Sequence, residues 1–445
     1  MLDDVTEALV PLAVLIGSVR GFGSFVKKTL IAFFVIGSLP LSAFAQDEWR
    51  APSPDLLDRA RAILSSVPLI EGHNDLPSRL LDIEGRGDPV PDLNHVQSLL
   101  PADLPRLREG MVGAQFWSAY THSDSIDTGA SLRHALRGID RIHRLVDEYP
   151  EALEFARTAA DIENIFADGR IASLIGVEGG HAIQNSLAVL RQFYALGVRY
   201  MTLSHNRTID WVDSATDTPT HGGLSQFGEA VVREMNRLGM FVDISHVTAE
   251  AMGDVLDVTR SPVIFSHSSA RAINSYPRNV PDDVLARLSD NGGVVMVNFY
   301  AGFVPRSGPD WLARQDSVRA HYREILPLND ANQELARWTR ENPRPRGTLS
   351  DVADHIDHIR SVAGIDHIGI GADYYDAGGP SMAEGLDDLT RFPYLFAELL
   401  RRGYSESELG KLAGFNFLRA MRDMEQVAAE LRQQEPPLQI RYPGR

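Results

Sequence analysis

The residues with the clearest capacity for chemistry are five histidines and carboxylates at the ends of apolar runs. They are His73, Asp75, Glu178, His246 and His267. Imidazole nitrogens and carboxylate oxygens bind zinc where thiolates are missing, and the chain has no cysteine. His73 and Asp75 can reach one ion from a single strand end. His246 and His267 can hold a second ion, and Glu178 can bridge the two.

Two ions held in this way predict hydrolysis by an activated water. They lower the pKa of a shared water towards about 7 and polarise a carbonyl group, so no protein nucleophile is needed. The lack of cysteine also excludes disulfides and cysteine nucleophiles. No Gly-x-Ser-x-Gly segment occurs, which leaves a serine hydrolase unsupported.

The composition argues against a nucleic-acid partner. The chain has 445 residues, of which 60 are acidic and 43 basic, so its formal charge is −17. A field of this sign repels phosphate groups and anionic lipid. The hydrophobic fraction of 44% is sufficient for a large core.

Eight apolar runs along the chain have the composition of strands buried on both faces. Segments with helical periodicity separate them, among them Ser186–Ala195, Gly228–Leu238 and Asp351–Ala363. This alternation predicts a closed (β/α)8 TIM barrel of the metal-dependent hydrolase type, with extra helices. The carboxyl ends of barrel strands meet at one face, so the five candidate ligands would share a cleft. The runs are Leu69–Ile70, Gly113–Trp117, Ile171–Val177, Val198–Leu203, Gly239–Ile244, Pro262–Phe265, Gly293–Phe299 and His367–Ile370.

The first 45 residues have the pattern of a secretory leader. Lys27 and Lys28 precede the apolar run Leu30–Leu41, and Ala43-Phe44-Ala45 supplies the small residues of a cleavage site. We therefore expect residues 1–45 to direct export, to the periplasm or the medium. An uncleaved leader that tethers the protein to a membrane is the alternative.

The rest of the chain is predicted to form one domain. Residues 46–430 would contain the barrel, and residues 431–445 a polar tail. The charged segment Ala301–Thr348 is expected to form helices and a loop over the barrel rather than a separate domain.

The remaining histidines have weaker cases. A single histidine after an apolar run is more often structural than a ligand. His355 and His358 share a helix face, but Asp357 and Arg360 nearby favour a solvated or interface role. Gly369-Ile370-Gly371 is too short for a dinucleotide-binding fingerprint. The histidines interpreted as surface or packing residues are His95, His122, His134, His143, His221 and His321.

Nine segments resemble the membrane (renal) dipeptidase family of zinc peptidases, in the form of a bacterial exported member. The similarity extends from about Leu69 to Gln426, and the nine segments together are highly specific. The segments are Glu71–Pro77 (EGHNDLP), Gly113–Ser118 (GAQFWS), Gly176–His181 (GVEGGH), Arg199–His205 (RYMTLSH), Asp243–His246 (DISH), Phe265–Ala270 (FSHSSA), Arg278–Asp282 (RNVPD), Val295–Tyr300 (VMVNFY) and Glu384–Asp388 (EGLDD).

The resemblance implies a barrel with two zinc ions per chain on the same five ligands, and it implies roles for three more residues. His205 would contact the substrate carbonyl and stabilise the oxyanion. Arg278 would bind the free carboxylate of a dipeptide, a group that a guanidinium fork suits. Asp373 would hold the substrate amine or transfer a proton. The catalytic set would therefore be Glu178, His205 and Asp373.

Two departures from the family pattern concern the substrate pocket. The stretch Tyr374-Tyr375-Asp376-Ala377-Gly378 is one residue longer than the usual aromatic-Asp-Gly run after Asp373. Phe303 stands where family members often carry a tyrosine, three positions beyond Tyr300. Both changes are expected to affect specificity more than metal chemistry.

The leading hypothesis is a zinc-dependent dipeptidase that hydrolyses free dipeptides, including those with a carboxyl-terminal D-residue, by a metal-bridging hydroxide. Its partners would be small dipeptides, with no nucleic acid and no stable membrane span after leader cleavage; a homodimer is one option for assembly. A related barrel amidohydrolase acting on a specialised peptide-derived amide is the alternative, motivated by the altered loop after Asp373. A non-enzymatic metal-binding protein is disfavoured because no candidate ligand is replaced.

Overall fold

Parallel strands close into a barrel in the computed structural model, which describes residues 52–376, 378–440 and 442. The strands are β1 (Leu69–Asn74), β2 (Val112–Tyr120), β3 (Leu153–Phe155), β4 (Ile171–Glu178), β5 (Val198–Thr202), β6 (Phe241–Asp243), β7 (Ile264–Ser268), β8 (Val294–Val297) and β9 (Ile368–Ile370). Their spatial order is β2-β1-β9-β8-β7-β6-β5-β4, and β4 closes the barrel by pairing with β2. The predicted leader, residues 1–45, lies outside the described residues.

The predicted (β/α)8 barrel is confirmed, and each of the eight apolar runs overlaps one of its strands. The sequence pattern missed β3, a three-residue strand that pairs with β4 outside the closed barrel. Its residues Leu153, Glu154 and Phe155 are too few to show a period of two.

Helices surround the barrel, and local capping sets where several of them begin. Thr158 and Asp161 form a capping box at the start of one helix, and Thr348 and Asp351 form another. The helices are α1 (Pro54–Ser66), α2 (Leu76–Gly85), α3 (Leu104–Glu109), α4 (Ser125–Thr128), α5 (Ser131–Glu148), α6 (Ala159–Ala167), α7 (Leu187–Ala195), α8 (Gln226–Leu238), α9 (Ala249–Val258), α10 (Asp282–Asn291), α11 (Gly308–Ile325), α12 (Leu328–Glu341), α13 (Leu349–Val362), α14 (Phe392–Arg401), α15 (Glu406–Gly410) and α16 (Asn416–Gln434). Within the described ranges, none of the helices is long and apolar enough to cross a membrane.

Alternate strand residues belong to two separate apolar clusters, as the two-residue period of a strand requires. Leu174 and Phe241 pack in a cluster that includes Phe417 of α16. Their neighbours Ile175 and Val242 pack in the larger cluster shared with the surrounding helices. The strands are therefore covered on both faces, which explains their nearly continuous apolar sequence.

The segment between β8 and β9 forms an antiparallel helical hairpin, α11 and α12, as the sequence predicts. Trp311 and Trp338 hold the two helices together, with ring centroids 5.8 Å apart, and Trp311 Nε1 donates a hydrogen bond to Asn342 O (3.0 Å). At the other end of the chain, α16 continues to Gln434, beyond the predicted tail boundary at residue 430. Leu438 N then donates to a carboxylate oxygen of α8 (3.2 Å).

His355 is buried, so the prediction of a solvated or interface role for it was wrong. Its Nδ1 accepts from Ala270 N (3.0 Å), and its Nε2 donates to Val304 O (2.9 Å). These bonds join the loop after β7 to the loop after β8. Burial lowers the pKa of His355 to about 4. The nearby acidic and basic residues misled the prediction because His358, one turn along α13, is the residue that pairs with a carboxylate, Asp282 (2.8 Å).

We predict that His355→Gln changes how the free energy of unfolding depends on pH. At pH 7.5 the variant should be less stable by about 1–2 kcal/mol, because an amide cannot match both contacts of the ring. The folded-state pKa of His355 lies below the ordinary value, so the unfolded chain takes up more protons as the pH falls from about 6.5 to 4, and the wild type loses stability there. At pH 5 the wild type has lost about 2 kcal/mol in this way, so the difference in the free energy of unfolding between wild type and variant should close or reverse.

Urea unfolding of chelator-treated protein at pH 7.5 and pH 5 measures this gap. His321→Gln, a change at an exposed histidine of α11, is the control and should show none of this dependence. A gap of constant size across the two pH values would contradict the assignment.

Candidate active site and metal centre

All eight predicted site residues lie at the same end of the barrel. His73 and His267 are the second-last residues of β1 and β7, Glu178 is the last residue of β4, and Asp75 directly follows β1. The others lie in the loops that follow strands: His205 after β5, His246 after β6, Arg278 after β7 and Asp373 after β9. Seven of the eight line one cleft with a volume of about 980 Å³. The eighth, His73, is buried against two of these lining residues, Asp75 and Glu178.

Glu178 lies at the centre of this group. Its Oε1 is 3.0 Å from His246 Nε2, 3.4 Å from His267 Nε2 and 3.8 Å from His205 Nε2. Its Oε2 is 3.6 Å from His73 Nε2. The two oxygens of one carboxylate therefore face two different sets of imidazoles.

Several buried atoms around Glu178 have no hydrogen-bond partner among the described residues. They include His73 Nε2 and Asp75 Oδ1. His246 Nε2 and His267 Nε2 face each other at 2.9 Å. Buried polar atoms normally have partners, and lone pairs that point at one another repel unless a proton or a cation lies between them. The donor set therefore fits divalent metal ions.

Three overlapping groups of ligand atoms could hold such ions. In each group the atoms lie within 4.8 Å of one another. The groups are His73, Glu178 and His267; Glu178, His205 and His246; and His73, Asp75 and Asp373. His205 and Asp373, which the sequence placed on the substrate, are thus close enough to belong to the metal centre.

Hydrogen bonds leading to a buried carboxylate decide which ring nitrogen of His267 carries the proton. Ser266 Oγ donates to Asp243 Oδ2 (2.6 Å), so the serine oxygen is left to accept from His267 Nδ1 at 2.7 Å. The proton of the imidazole is then on Nδ1, and the lone pair of Nε2 points to Glu178. Such an outer hydrogen bond fixes the tautomer of a metal-binding histidine.

Tyr200 does the same for His73. Its phenol donates to the carbonyl oxygen of the residue before His73 (3.3 Å) and lies 2.9 Å from His73 Nδ1. His73 Nε2 is therefore free to act as a ligand. The ring of Tyr200 fits only because residue 176 is glycine, where a Cβ would lie 2.0 Å from the ring.

Asp243 and a second buried acid, Glu71, are two further residues that support the site and that were not predicted from the sequence. Glu71 Oε1 accepts from Ala372 N (2.7 Å), and both of its oxygens are 3.2 Å from His73 N. Burial raises the pKa of Glu71 to about 8. Both acids lie within apolar strands, and a charged residue inside such a strand is the signal that could have found them.

Burial determines the charge of the groups in the cleft. It lowers the pKa values of His205, His246 and His267 well below the usual value, and the positive charge of Arg278 adds to the effect. These rings are neutral at pH 7, as ligation requires. Burial also raises the pKa of Asp373 to about 7. Asp373 can therefore gain or lose a proton near neutral pH.

Two site residues have left-handed backbone conformations that residues other than glycine rarely adopt. His246 has a φ angle of 71° and Asp373 has one of 66°. Such conformations cost about 1–3 kcal/mol each and persist where the surrounding structure holds them. Here they occur in the turns directly after β6 and β9, where they aim both side chains into the cleft.

Arg278 is a buried cation with no carboxylate partner within ion-pair distance in the described structure. It is 1% exposed. Its Nη1 is 3.4 Å from Ser268 Oγ, its Nη2 is 3.5 Å from His267 O, and its Nε has no partner among the described residues. Burial lowers its pKa, but a guanidinium remains charged in proteins. An anion in the cleft would supply the missing counter-charge.

Comparisons with known proteins identify the family of this chain. A family model described as membrane dipeptidase (peptidase family M19) matches residues 57–435. The dipeptidase verJ of Clonostachys rogersoniana is 40% identical over 389 residues, which are 85% of this chain and 90% of that protein.

Two crystal structures show the same fold. The probable dipeptidase PvdM from Pseudomonas aeruginosa matches with a TM-score of 0.74 at 24% identity, over 84% of this chain and 100% of that one. A metallo peptidase from Rhodobacter sphaeroides, liganded with a phosphinate mimic of the dipeptide L-Ala-D-Ala, matches with a TM-score of 0.65 at 24% identity, over 80% and 99%. The family model and the verJ match establish that the chain belongs to the membrane dipeptidase family of metallopeptidases, peptidase family M19.

Proposed function

We propose that the chain is a dipeptidase with two zinc ions, which hydrolyses free dipeptides and accepts a D-residue at the carboxyl end. Membership of a metallopeptidase family supports the reaction class. The single observation that carries the substrate assignment is the unpaired, buried Arg278 beside the candidate metal ligands. Export by a leader in residues 1–45 belongs to the same proposal.

Arg278 favours a substrate with a single residue on the carboxyl side of the reacting peptide bond, as a dipeptide has. A guanidinium binds a carboxylate through two parallel hydrogen bonds. Arg278 Nη2 lies 3.5 Å from the backbone oxygen of His267, so the anion site directly adjoins a candidate metal ligand. A carboxylate held there leaves little more than one residue between the chain terminus and the reacting peptide bond. An internal peptide bond has no such carboxylate and would leave the cation without a partner.

The zinc ions would be held by the five residues that the sequence indicates. His73 and Asp75 would bind one ion, His246 and His267 the other, and Glu178 both, since its two oxygens face different imidazoles. Ions so bound would supply a Lewis acid and a water of lowered pKa. Burial keeps His246 and His267 neutral, whereas the nearby Tyr200, Glu178 and Asp75 raise the pKa of His73, so that a metal ion would have to displace a proton there. Asp243 acts through Ser266 to keep the proton of His267 away from Nε2.

The remaining two residues would act on the substrate. His205 is neutral because burial lowers its pKa, so it can donate a hydrogen bond to the oxygen of the peptide carbonyl as negative charge develops there. Asp373 Oδ2 accepts from Asn298 Nδ2 (2.9 Å), which orients the carboxyl group. With a pKa of about 7 in this setting, Asp373 can pass a proton to the leaving amine.

Arg278→Ala should raise KM for Ala-Ala by about 30-fold or more and change kcat less, because it removes a charged anchor that ground state and transition state share. Steady-state kinetics measure this split. Arg306→Ala is the matched control, because Arg306 is exposed and is not among the residues that line the cleft.

The wild-type enzyme should also hydrolyse dipeptide amides poorly, because they lack the terminal carboxylate. If it cleaves the amide as well as the free dipeptide, the dipeptidase proposal is wrong. That result would favour the alternative, an amidohydrolase for a peptide-derived amide.

His246→Ala should bind about one zinc ion where the wild type binds two, and it should lose activity. Metal analysis after zinc loading and desalting gives the stoichiometry. His358→Ala, at a partly exposed histidine paired with Asp282, should keep both ions. A chelator should abolish wild-type activity and zinc should restore it. A zinc-loaded wild type without turnover on any dipeptide would sink the proposal.

Ser266→Ala should weaken zinc binding by about 10–100-fold, because the proton on His267 would no longer be directed to Nδ1. Titration against a chromophoric chelator measures the affinity. Ser289→Ala, at an exposed serine of α10, is the control. If the zinc affinity of Ser266→Ala is unchanged, the hydrogen bonds from Asp243 through Ser266 do not set the tautomer of His267.

A further inference from the structure

One wall of the cleft is built from four aromatic rings. Tyr276 stacks on Phe303 with ring centroids 5.2 Å apart and planes inclined by 18°. Tyr300 meets Phe303 edge-on at 5.0 Å and Tyr375 edge-on at 5.7 Å. All four residues line the cleft, so the rings form one continuous apolar surface. This surface, Tyr276, Tyr300, Phe303 and Tyr375, is called the aromatic wall below.

The aromatic wall adjoins the proposed carboxylate anchor. The Arg278 guanidinium carbon is 5.3 Å from the centroid of the Phe303 ring. A dipeptide whose carboxylate binds Arg278 has its carboxyl-terminal side chain on the next atom along, the α-carbon. That side chain is therefore within reach of the aromatic wall.

Buried amides hold the loops of the wall in place. Asn279 Nδ2 donates to Phe303 O (3.0 Å), and Asn274 Nδ2 donates to Pro305 O (2.7 Å). Asn274 Oδ1 also accepts from Tyr276 N (3.0 Å). These bonds join the loop after β7 to the loop after β8, so Tyr276 and Phe303 keep their stacked positions before a ligand binds. A preorganised surface loses little entropy on binding.

Arg344 fixes the third ring of the wall. Its guanidinium carbon is 5.0 Å from the centroid of Tyr300 and 4.8 Å from that of Trp311, and Nη1 donates a hydrogen bond to the Tyr300 phenol. The contact with Trp311 ties the ring to α11. Tyr300 therefore stands between the loop after β8 and the helical hairpin.

Another part of the cleft lining is polar. It consists mainly of charged and polar side chains of α2, the residue after α2, α5 and the loop after β2: Asp82, Arg86, His122, His134 and Arg137. A large apolar side chain next to the carboxylate anchor would thus find its complementary surface at the aromatic wall.

We infer that the enzyme selects dipeptides with an aromatic carboxyl-terminal residue, whose ring packs on the wall beside Arg278. The inference rests on the proposed function. Aromatic pairs add attraction beyond the burial of area, and they do so with a defined geometry. The aromatic wall also explains why a phenylalanine is tolerated at position 303, since at this position the ring contacts its neighbours through its faces and edges.

The test compares the zinc-loaded wild type on Ala-Phe, Ala-Tyr, Ala-Ala and Ala-Asp. We expect kcat/KM to be at least about tenfold higher for the two aromatic substrates than for Ala-Ala. Free phenylalanine should likewise inhibit at lower concentration than free alanine. This product-inhibition arm needs no variant, so it stands even if a substitution in the aromatic wall impairs folding.

Variants of Tyr276 locate the effect. Tyr276→Ala should reduce the ratio of kcat/KM for Ala-Phe over Ala-Ala severalfold, and Tyr276→Phe should keep the wild-type ratio because the ring is retained. Tyr322→Ala, at a tyrosine of α11 that is absent from the cleft lining, should leave the ratio unchanged.

The outcomes separate the two proposals. Efficient hydrolysis of dipeptides without preference for an aromatic residue would overturn the inference and leave the dipeptidase proposal intact. A wild-type ratio in Tyr276→Ala would also overturn it. If the wild type hydrolyses none of the dipeptides, the proposed function itself is wrong.

Discussion

The site depends on one buried carboxylate, Glu178, which several imidazoles face from different strands. A buried anion without counter-charge is costly, and three of the histidines around it, His205, His246 and His267, are held neutral by their own burial. Without a cation this arrangement leaves His73 Nε2 and Asp75 Oδ1 unpartnered. A metal ion would supply both the counter-charge and the missing partners, so the strand ends together form a site that favours a bound cation.

The surrounding residues orient the candidate metal ligands and influence which ring nitrogen carries the proton. Asp243 acts through Ser266 on His267, and Tyr200 acts on His73, so both rings present a lone pair rather than a proton. Glu71 accepts from the backbone of β1 and of the turn after β9. These contacts cross between strands that are distant in sequence, and the closed barrel is what brings them together. The strained backbone of the turns after β6 and β9 is the cost of that precision.

The cleft is divided into parts with different tasks. Arg278 supplies a buried positive charge without a carboxylate partner in the described chain, the aromatic wall supplies an apolar surface, and the residues of α2, α5 and the loop after β2 supply polar groups. The first two parts are joined by Asn274 and Asn279, and His355 fastens the same pair of loops from behind. The proposed metal chemistry and the proposed substrate selection would thus rest on neighbouring but separate sets of contacts.

The sequence by itself determined the barrel, and it predicted eight candidate site residues, which the structure brings to one end of the barrel. Strand periodicity is local, and a histidine or carboxylate at a strand end keeps its place whatever the neighbouring strands do; the family resemblance added Arg278, His205 and Asp373. Tertiary structure alone decided the rest: the tautomers set by Asp243 and Tyr200, the burial of His355, and the joining of Tyr276 to Phe303. Those features depend on contacts between segments far apart in the chain, and local pattern carries no information on which segments the closed barrel brings into contact.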